Sequence, residues 1–284
     1  KFQQGVLTKL PQKKMDTLLR IPILGSLIKK KVRKGLGLNG AKNIFTGAAP
    51  TPASLIIWFT KLGIRIQEAY AMTENTCYSH VTMNNKIKIG YVGAPLPFCD
   101  VKISGEGEIL IKHEALMDGY YKEPELTKES FADGYLRTGD KGEIDSEGFL
   151  KITGRVKDLF KTDKGKYVAP APIELRLSVN IDIEQVCVVG TGIPQPIALM
   201  TLSVEGKKKG KDIVEKGLIE TLKSVNPVLE HHEHIAKFVV LKDEWTIENG
   251  LLTPTMKVKR GDLEKIHTQK YEGWYGREGN VIWE

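Results

Sequence analysis

The 284 residues are 41% hydrophobic, 27% charged and 7% aromatic, enough apolar material for one large domain or two ordinary ones and too much for a disordered tail. No apolar run approaches the roughly 18 residues of a membrane span, and the opening KFQQGVLTKLPQKK has neither the apolar stretch nor the cleavage site of a secretory signal. The formal charge of +7 is local: residues 1–45 hold eleven of the 42 Lys and Arg but only one of the 35 acidic residues, Asp16, a net of +10, while the remainder sums to −3.

That segment begins without Met and reads as the cut end of a longer chain. Within it Leu24, Leu27, Ile28 and Val32 repeat at helical spacing among Lys29, Lys30, Arg33 and Lys34, an amphipathic basic helix. We favour a surface helix packed on its own domain, with residues 24–36 as the one stretch suited to peripheral contact with an anionic membrane. Residues 53–62 read as a helix ended by Gly63, and residues 64–69 as a strand. From residue 101 to 152 short alternating strands (108–112, 141–144 and 149–152) separate Gly-containing turns such as Asp145-Ser146-Glu147-Gly148, a β-rich subdomain. Strands are expected at 184–189, 197–204 and 238–241, with a helix near 212–222 and another from about residue 262. The domain boundary falls at Lys157, giving units 1–156 and 157–284. Cys77, Cys99 and Cys187 are odd in number and widely spaced, which fits a reducing cytoplasm and neither a zinc site nor a disulfide frame.

Four stretches combine Gly, hydroxyl and charged residues in ways a plain core does not use. Thr46-Gly47-Ala48-Ala49-Pro50 is a small-residue bend that lets a flat ligand approach the backbone. Tyr70-Ala71-Met72-Thr73-Glu74 offers an aromatic face, a hydroxyl and a carboxylate, groups suited to a purine, a phosphate oxygen and a magnesium ion, although a capped helix start is an equal reading of the segment alone. Asp140, after Arg137-Thr138-Gly139, and Arg155, after Gly154, lie across an expected hairpin, so neighbouring strand ends present a carboxylate and a guanidinium to one sugar or phosphate. Leu252-Thr253-Pro254-Thr255-Met256-Lys257-Val258-Lys259-Arg260 is a basic cluster after a Pro-stiffened loop.

In this order the four resemble the AMP-forming adenylating enzymes, the superfamily of acyl-CoA synthetases, peptide-synthetase adenylation domains and luciferase. The match runs from about Thr46 to Arg260 and includes Gly107-Glu108-Ile109-Leu110-Ile111, Gly119-Tyr120 and Pro172-Ile173-Glu174. Lys166-Tyr167-Val168-Ala169-Pro170 and Asn249-Gly250-Leu251-Leu252-Thr253-Pro254-Thr255 look most like long-chain fatty acyl-CoA synthetases. The resemblance implies the C-terminal part of an adenylate-forming large domain, an αβ unit plus a small β-barrel-like subdomain, followed by a small mobile α+β domain. It implies ATP, magnesium and CoA, with a fatty acid as the group activated. Carried over by position, Gly47, Ala48, Ala49 and Pro50 line the nucleotide, Tyr70 stacks on adenine, Thr73 holds a phosphate oxygen and Glu74 binds magnesium. Asp140 and Arg155 hold the ribose, Lys257 reaches the carboxylate and α-phosphate, and Lys157 with Asp158 forms the hinge.

Three departures accompany the match: Ala71 replaces a usual Gly, Asp163 and Lys164 replace a Ser-Gly or Gly-Gly loop, and no Ser/Thr/Gly-rich phosphate loop ending in Pro-Lys occurs in the 284 residues. The chain is therefore expected to be the C-terminal half of such an enzyme and, alone, inactive. A ligase that loads a carrier protein is the alternative of like chemistry; a non-catalytic nucleotide-binding or membrane-surface module is the alternative of another class. No nucleic-acid partner and no obligatory protein partner are expected, and the location expected is cytoplasmic or peripheral on the inner membrane surface. His231-His232-Glu233-His234 reads as a solvated polar corner, Lys207-Lys208-Lys209 with Lys211 as a charged turn, and Tyr271, Trp274, Tyr275 and Trp283 as packing of the final helix and tail.

Overall fold

The computed structural model describes residues 11–83 and 85–284; the signal-peptide reading falls largely on residues 1–10, outside them. The chain divides into two units, the first holding the described residues through Thr138 together with Gly142–Ile152, the second Gly139–Lys141 and Thr153–Glu284.

In the first unit three helices, Gln12–Arg20, Pro22–Gly35 and Ala53–Lys61, gather around Met15, Trp58, Leu62 and Ile64, each at most 2% exposed. The middle helix turns only part of its apolar stripe inward. Val32 packs on this cluster, whereas Ile23 is 79% and Leu27 60% exposed. Strand β1 (Phe45–Thr46) runs parallel to β2 (Gln67–Tyr70), and β3 (His80–Val81) and β4 (Ala94–Pro95) follow antiparallel. The strand expected from residue 64 begins only at Gln67, because Ile64 N donates to Phe59 O at 3.0 Å and closes the preceding helix, and Ile64 joins that helix's core.

A five-stranded sheet forms the β-rich subdomain: β5 (Asp100–Ile103), β6 (Glu108–Lys112), β8 (Tyr135–Ile144) and β7 (Phe131–Ala132) in that spatial order, with β9 (Leu150–Arg155) paired to β8. Alternation puts Ile109 and Ile111 of β6 inside with Tyr70, Cys99 and Leu150. Full burial of each isoleucine is worth about 1.5–3 kcal/mol. Asp145-Ser146-Glu147-Gly148 forms the expected turn, Gly148 N donating to Asp145 O at 3.0 Å with Gly148 at φ +82°.

The second unit opens with the hairpin β10 (Phe160–Lys161) and β11 (Tyr167–Val168), then builds a sheet from β12 (Ile183–Val189), β13 (Ile197–Leu202), β14 (Lys237–Val240) and β15 (Val281–Trp283) in sequential order. The β12/β13 pair is antiparallel and the other two pairs are parallel. Both faces are covered, which is why β13 reads as an almost unbroken apolar run. Ala198 and Met200 pack with Leu177, Leu218 and Leu222 of the helices Pro170–Leu177 and Lys211–Val225. Ile197 and Leu199 meet Leu263, Tyr271 and Trp274 of the helices Arg260–His267 and Tyr271–Gly276 on the other side. Strand β13 stops at Leu202, short of the expected 204, because Ser203 Oγ accepts from Gly206 N at 3.0 Å and caps the helical turn Val204–Lys207. The final tail, expected only to pack, adds β15 to the sheet edge. Among the described residues no helix is long and apolar enough to cross a membrane.

Candidate functional site

Gly47 follows β1 and lies against β2: a methyl group at its Cα would sit 3.1 Å from Ala69 O. Ala48 takes φ +63° and Ala49 N donates to Gly47 O at 2.7 Å, so the 47–50 bend is a tight left-handed turn beside the strand that ends in Tyr70. Tyr70 is 9% exposed and belongs to the β6/β9 cluster; His80 is its cross-strand partner, ring centroids 6.1 Å apart. His80 Nδ1 bonds Ser79 Oγ at 2.7 Å, and burial pushes its imidazole down to about 4, leaving a neutral ring beside the tyrosine.

Immediately after β2, Thr73–Asn75 makes one 3-10 turn, held because Asn75 Oδ1 accepts from Met72 N at 3.0 Å. The turn leaves Thr73 exposed and Glu74 half-buried. Glu74 Oε1 accepts from Tyr120 OH at 2.8 Å, and Glu74 O accepts from Met117 N at 2.8 Å. Burial, then the bond to Glu74, raises the Tyr120 phenol, so it donates and the carboxylate accepts. A carboxylate oriented through one oxygen and partly open to solvent suits a magnesium ion that takes its remaining ligands from water and phosphate. The sequence marked Glu74 through its own motif but missed Tyr120 as its partner; only the Gly119-Tyr120 resemblance pointed there.

Arg155, at the end of β9, lies beside Asp140, Nε donating to Oδ1 at 2.9 Å; Asp140 is midway along β8 and not at a strand end, because that strand begins at Tyr135 and not at the expected residue 141. The carboxylate is 17% exposed and the guanidinium 60%. Gly139, within β8 at φ +70°, and Gly154, near the end of β9 at φ +153°, precede them, backbone conformations that glycine adopts without a Cβ clash.

The hinge candidates Lys157 and Asp158 lie in a 3-10 turn, Val156–Asp158, between β9 and β10. Lys257 projects from a hairpin tied by the bridge Leu252↔Val258, by Thr253 N donating to Lys257 O at 2.8 Å and by Lys259 N donating to Leu251 O at 2.9 Å. Thr253 Oγ1 accepts from Lys257 N at 3.0 Å and Met256 takes φ +63°, so the backbone of this loop is closely held. The Lys257 side chain is exposed and forms no hydrogen bond or ion pair among the described residues. The other basic cluster differs: Lys207 pairs with Glu244, Lys208 with Glu205 and Lys209 with Asp182. His231, His232 and Glu233 form a 3-10 turn, and among the described residues no group of three His, Cys, Asp or Glu has the arrangement of a metal site.

Two family profiles match this chain, described as AMP-binding enzyme over residues 10–121 and AMP-binding enzyme C-terminal domain over residues 157–279. The chain is 34% identical over 273 residues to a long-chain-fatty-acid–CoA ligase of Mycobacterium bovis, covering 90% of this chain and 45% of that protein. It is 31% identical over 302 residues to long-chain-fatty-acid–CoA ligase 5 of Rattus norvegicus, covering 95% and 44%. Among solved structures it is similar to the o-succinylbenzoate CoA synthetase of Bacillus subtilis in complex with an acyl-adenylate intermediate, with TM-score 0.64 and 26% identity over 78% of this chain and 46% of that one. The adenylation domain of a Mycobacterium chelonae carboxylate reductase gives TM-score 0.71 over 94% of this chain and 44% of that one, and at 23% identity it speaks for the fold alone. The chain spans about half the length of the curated relatives it matches.

Proposed function

The chain belongs to the AMP-forming adenylating enzymes, and from that premise we propose that it serves the ATP-dependent ligation of a fatty acid to CoA. The fatty-acid carboxylate attacks the α-phosphorus of ATP, forming acyl-AMP and releasing pyrophosphate. The CoA sulfur then attacks the acyl carbonyl, the thiol proton is lost, and AMP leaves. In this reading Gly47, Ala48, Ala49 and Pro50 let the nucleotide approach the backbone, Tyr70 meets adenine, and Asp140 with Arg155 takes the ribose hydroxyls. Thr73 donates to a phosphate oxygen. Glu74, oriented by Tyr120, holds magnesium, which when bound neutralises phosphate charge. Lys157 and Asp158 are the hinge between the segments 1–156 and 157–284, close to Thr153, where the main span of the second compact unit begins, a place supported by the C-terminal family match beginning at residue 157.

The observation that carries the reading is the Lys257 arm: an exposed ammonium, unpaired among the described residues, on a hairpin held at its feet. A charge so placed costs little to bring beside the attacking carboxylate and the negatively charged oxygens of the α-phosphate during adenylyl transfer. In the complete gene product Lys257→Ala is expected to slow pyrophosphate release by on the order of a hundredfold, while thioester formation from supplied acyl-adenylate and free CoA continues. Equal losses in both half-reactions would sink the assignment. Residues 1–284 alone are expected to release no pyrophosphate in the same assay.

We also infer a peripheral contact with anionic bilayers through residues 24–36. Leu27 and the neighbouring Ile23 are exposed in the first half of a helix whose second half carries Lys29, Lys30, Lys31, Arg33 and Lys34, the composition of an interfacial helix. The protein should co-sediment with vesicles containing anionic phospholipid and not with zwitterionic ones, and Ile23→Asp with Leu27→Asp should abolish this. Binding unchanged in that double variant removes the helix from the contact.

A further inference from the structure

Arg260 opens the helix Arg260–His267, two residues beyond the hairpin foot at Val258 and three beyond Lys257. Its guanidinium is largely buried, and two of its nitrogens are committed within the second unit. Nη1 donates to Val188 O at 2.6 Å and stands 3.1 Å from Cys187 Sγ. Nη2 donates to Glu174 Oε1 at 2.5 Å, and the same oxygen accepts from Val188 N at 2.7 Å. Burial pushes the Cys187 thiol up, so the sulfur beside Arg260 stays protonated and the anionic partners are carboxylates.

The third nitrogen differs. Nε is buried and makes no hydrogen bond among the described residues, and a carboxylate oxygen, Asp158 Oδ2, stands 3.9 Å from it. That gap is roughly 1 Å longer than a charge-assisted hydrogen bond, and leaving a buried donor unmade is unfavourable. Asp158 sits in the 3-10 turn between β9 and β10, where a change of one or two backbone dihedrals moves its carboxylate by that amount. Glu264, whose carboxyl burial raises, also faces the guanidinium, but the ion pair that Nε approaches is with Asp158.

We propose that Arg260 is a positioning residue that couples the Lys257 arm to the hinge: its Nη fork fixes the foot of the arm to Glu174 and Val188, and its Nε closes on Asp158 in the hinge conformation that adenylates. Closure holds the hinge and the Lys257 hairpin in one register. Opening releases the hinge for thioester formation. The coupling rests on the adenylation reading of Lys257 and of the hinge.

The test uses the complete enzyme, with pyrophosphate release and thioester formation from supplied acyl-adenylate measured separately. Asp158→Asn keeps the shape of a partly exposed side chain and removes its charge; it is expected to slow adenylation about tenfold and change thioester formation less than twofold. Arg260→Lys keeps the positive charge and removes Nε; in its background Asp158→Asn should have no further effect on adenylation. Independent, multiplying effects of the two substitutions, or equal slowing of both half-reactions by Asp158→Asn, would overturn the coupling. Should Arg260→Lys fail to fold, Asp158→Glu decides: recovery of adenylation relative to Asp158→Asn supports the pairing, and an equal loss refutes it. Lys257→Ala run alongside separates the two levels of inference. Adenylation retained there overturns the underlying reading and the coupling with it, whereas adenylation lost there with multiplying effects at 158 and 260 overturns the coupling alone.

Discussion

Glu74 and Tyr120 are 46 positions apart, yet the phenol and carboxylate oxygens stand at 2.8 Å. A hydrogen bond to a charged acceptor contributes about 1.5–3 kcal/mol in favourable settings, and here its effect is to choose one orientation for the carboxylate. Tyr120→Phe should therefore raise the magnesium concentration needed for half-maximal pyrophosphate release several-fold, with the maximal rate changed much less. Because Tyr120 OH lies at a partly open site, melting should move by no more than about 3 °C. A magnesium titration and a melting curve on the same preparation decide it: unchanged magnesium dependence would leave Tyr120 no orienting role. The motif at residues 70–74 made Glu74 visible in the sequence, but nothing local to it announces a partner in a separate loop.

Between elements, the tightest constraint in the first unit is at Gly93. It takes φ +91°, and a methyl group there would lie 2.4 Å from Val81 O, main chain that cannot swing aside. The same residue accepts from Leu150 N at 2.9 Å, while Val92 N donates to Leu150 O at 2.9 Å, so it joins the start of β9 to the segment leading into β4. Gly93→Ala should lower unfolding stability by more than about 2 kcal/mol, combining left-handed strain with a backbone clash. Gly105, where a methyl group would meet nothing within 4 Å among the described residues, supplies the control: Gly105→Ala should change the urea midpoint little. Similar midpoints for both variants would show that the 93 region yields more readily than its contacts imply.

For the molecule as a whole, the buried histidines set an acid limit. His80 is pushed down to about 4 by burial, and burial followed by Lys270 lowers His267. Well above pH 6.5 both rings are neutral folded or unfolded. As pH falls below 6.5 the unfolded chain binds protons that the folded chain refuses, so stability is lost progressively until pH reaches the folded value. For His80 alone this amounts to about 2 kcal/mol between pH 7 and pH 5. Glu68 and Glu264, whose carboxyls burial raises, act in the opposite sense, so the comparison of interest is between wild type and His80→Gln. The variant should lose less stability than wild type between these pH values in denaturant titrations; an identical loss would mean that His80 is not held neutral by the fold.

Much of this protein was determined by sequence neighbours. Helical spacing over residues 53–62, alternation at 108–112 and 184–189, and the order of the four motifs depend on residues within one turn or one strand of each other, so periodicity and composition expose them. The Asp140 and Arg155 pair belongs to the same class, since a hairpin returns the chain to itself and brings the two residues side by side. Other features were decided only when distant segments packed. Arg260 reaches Glu174 across 86 positions, and Tyr120 reaches Glu74 across 46. The end of the strand at Leu202, the start of the one at Gln67 and the recruitment of the tail as β15 likewise follow from a cap, a helix closure and a vacant sheet edge. A side chain's residue type states what it is able to bond, but which partner it finds is set by the close-packed arrangement of elements far apart in the chain.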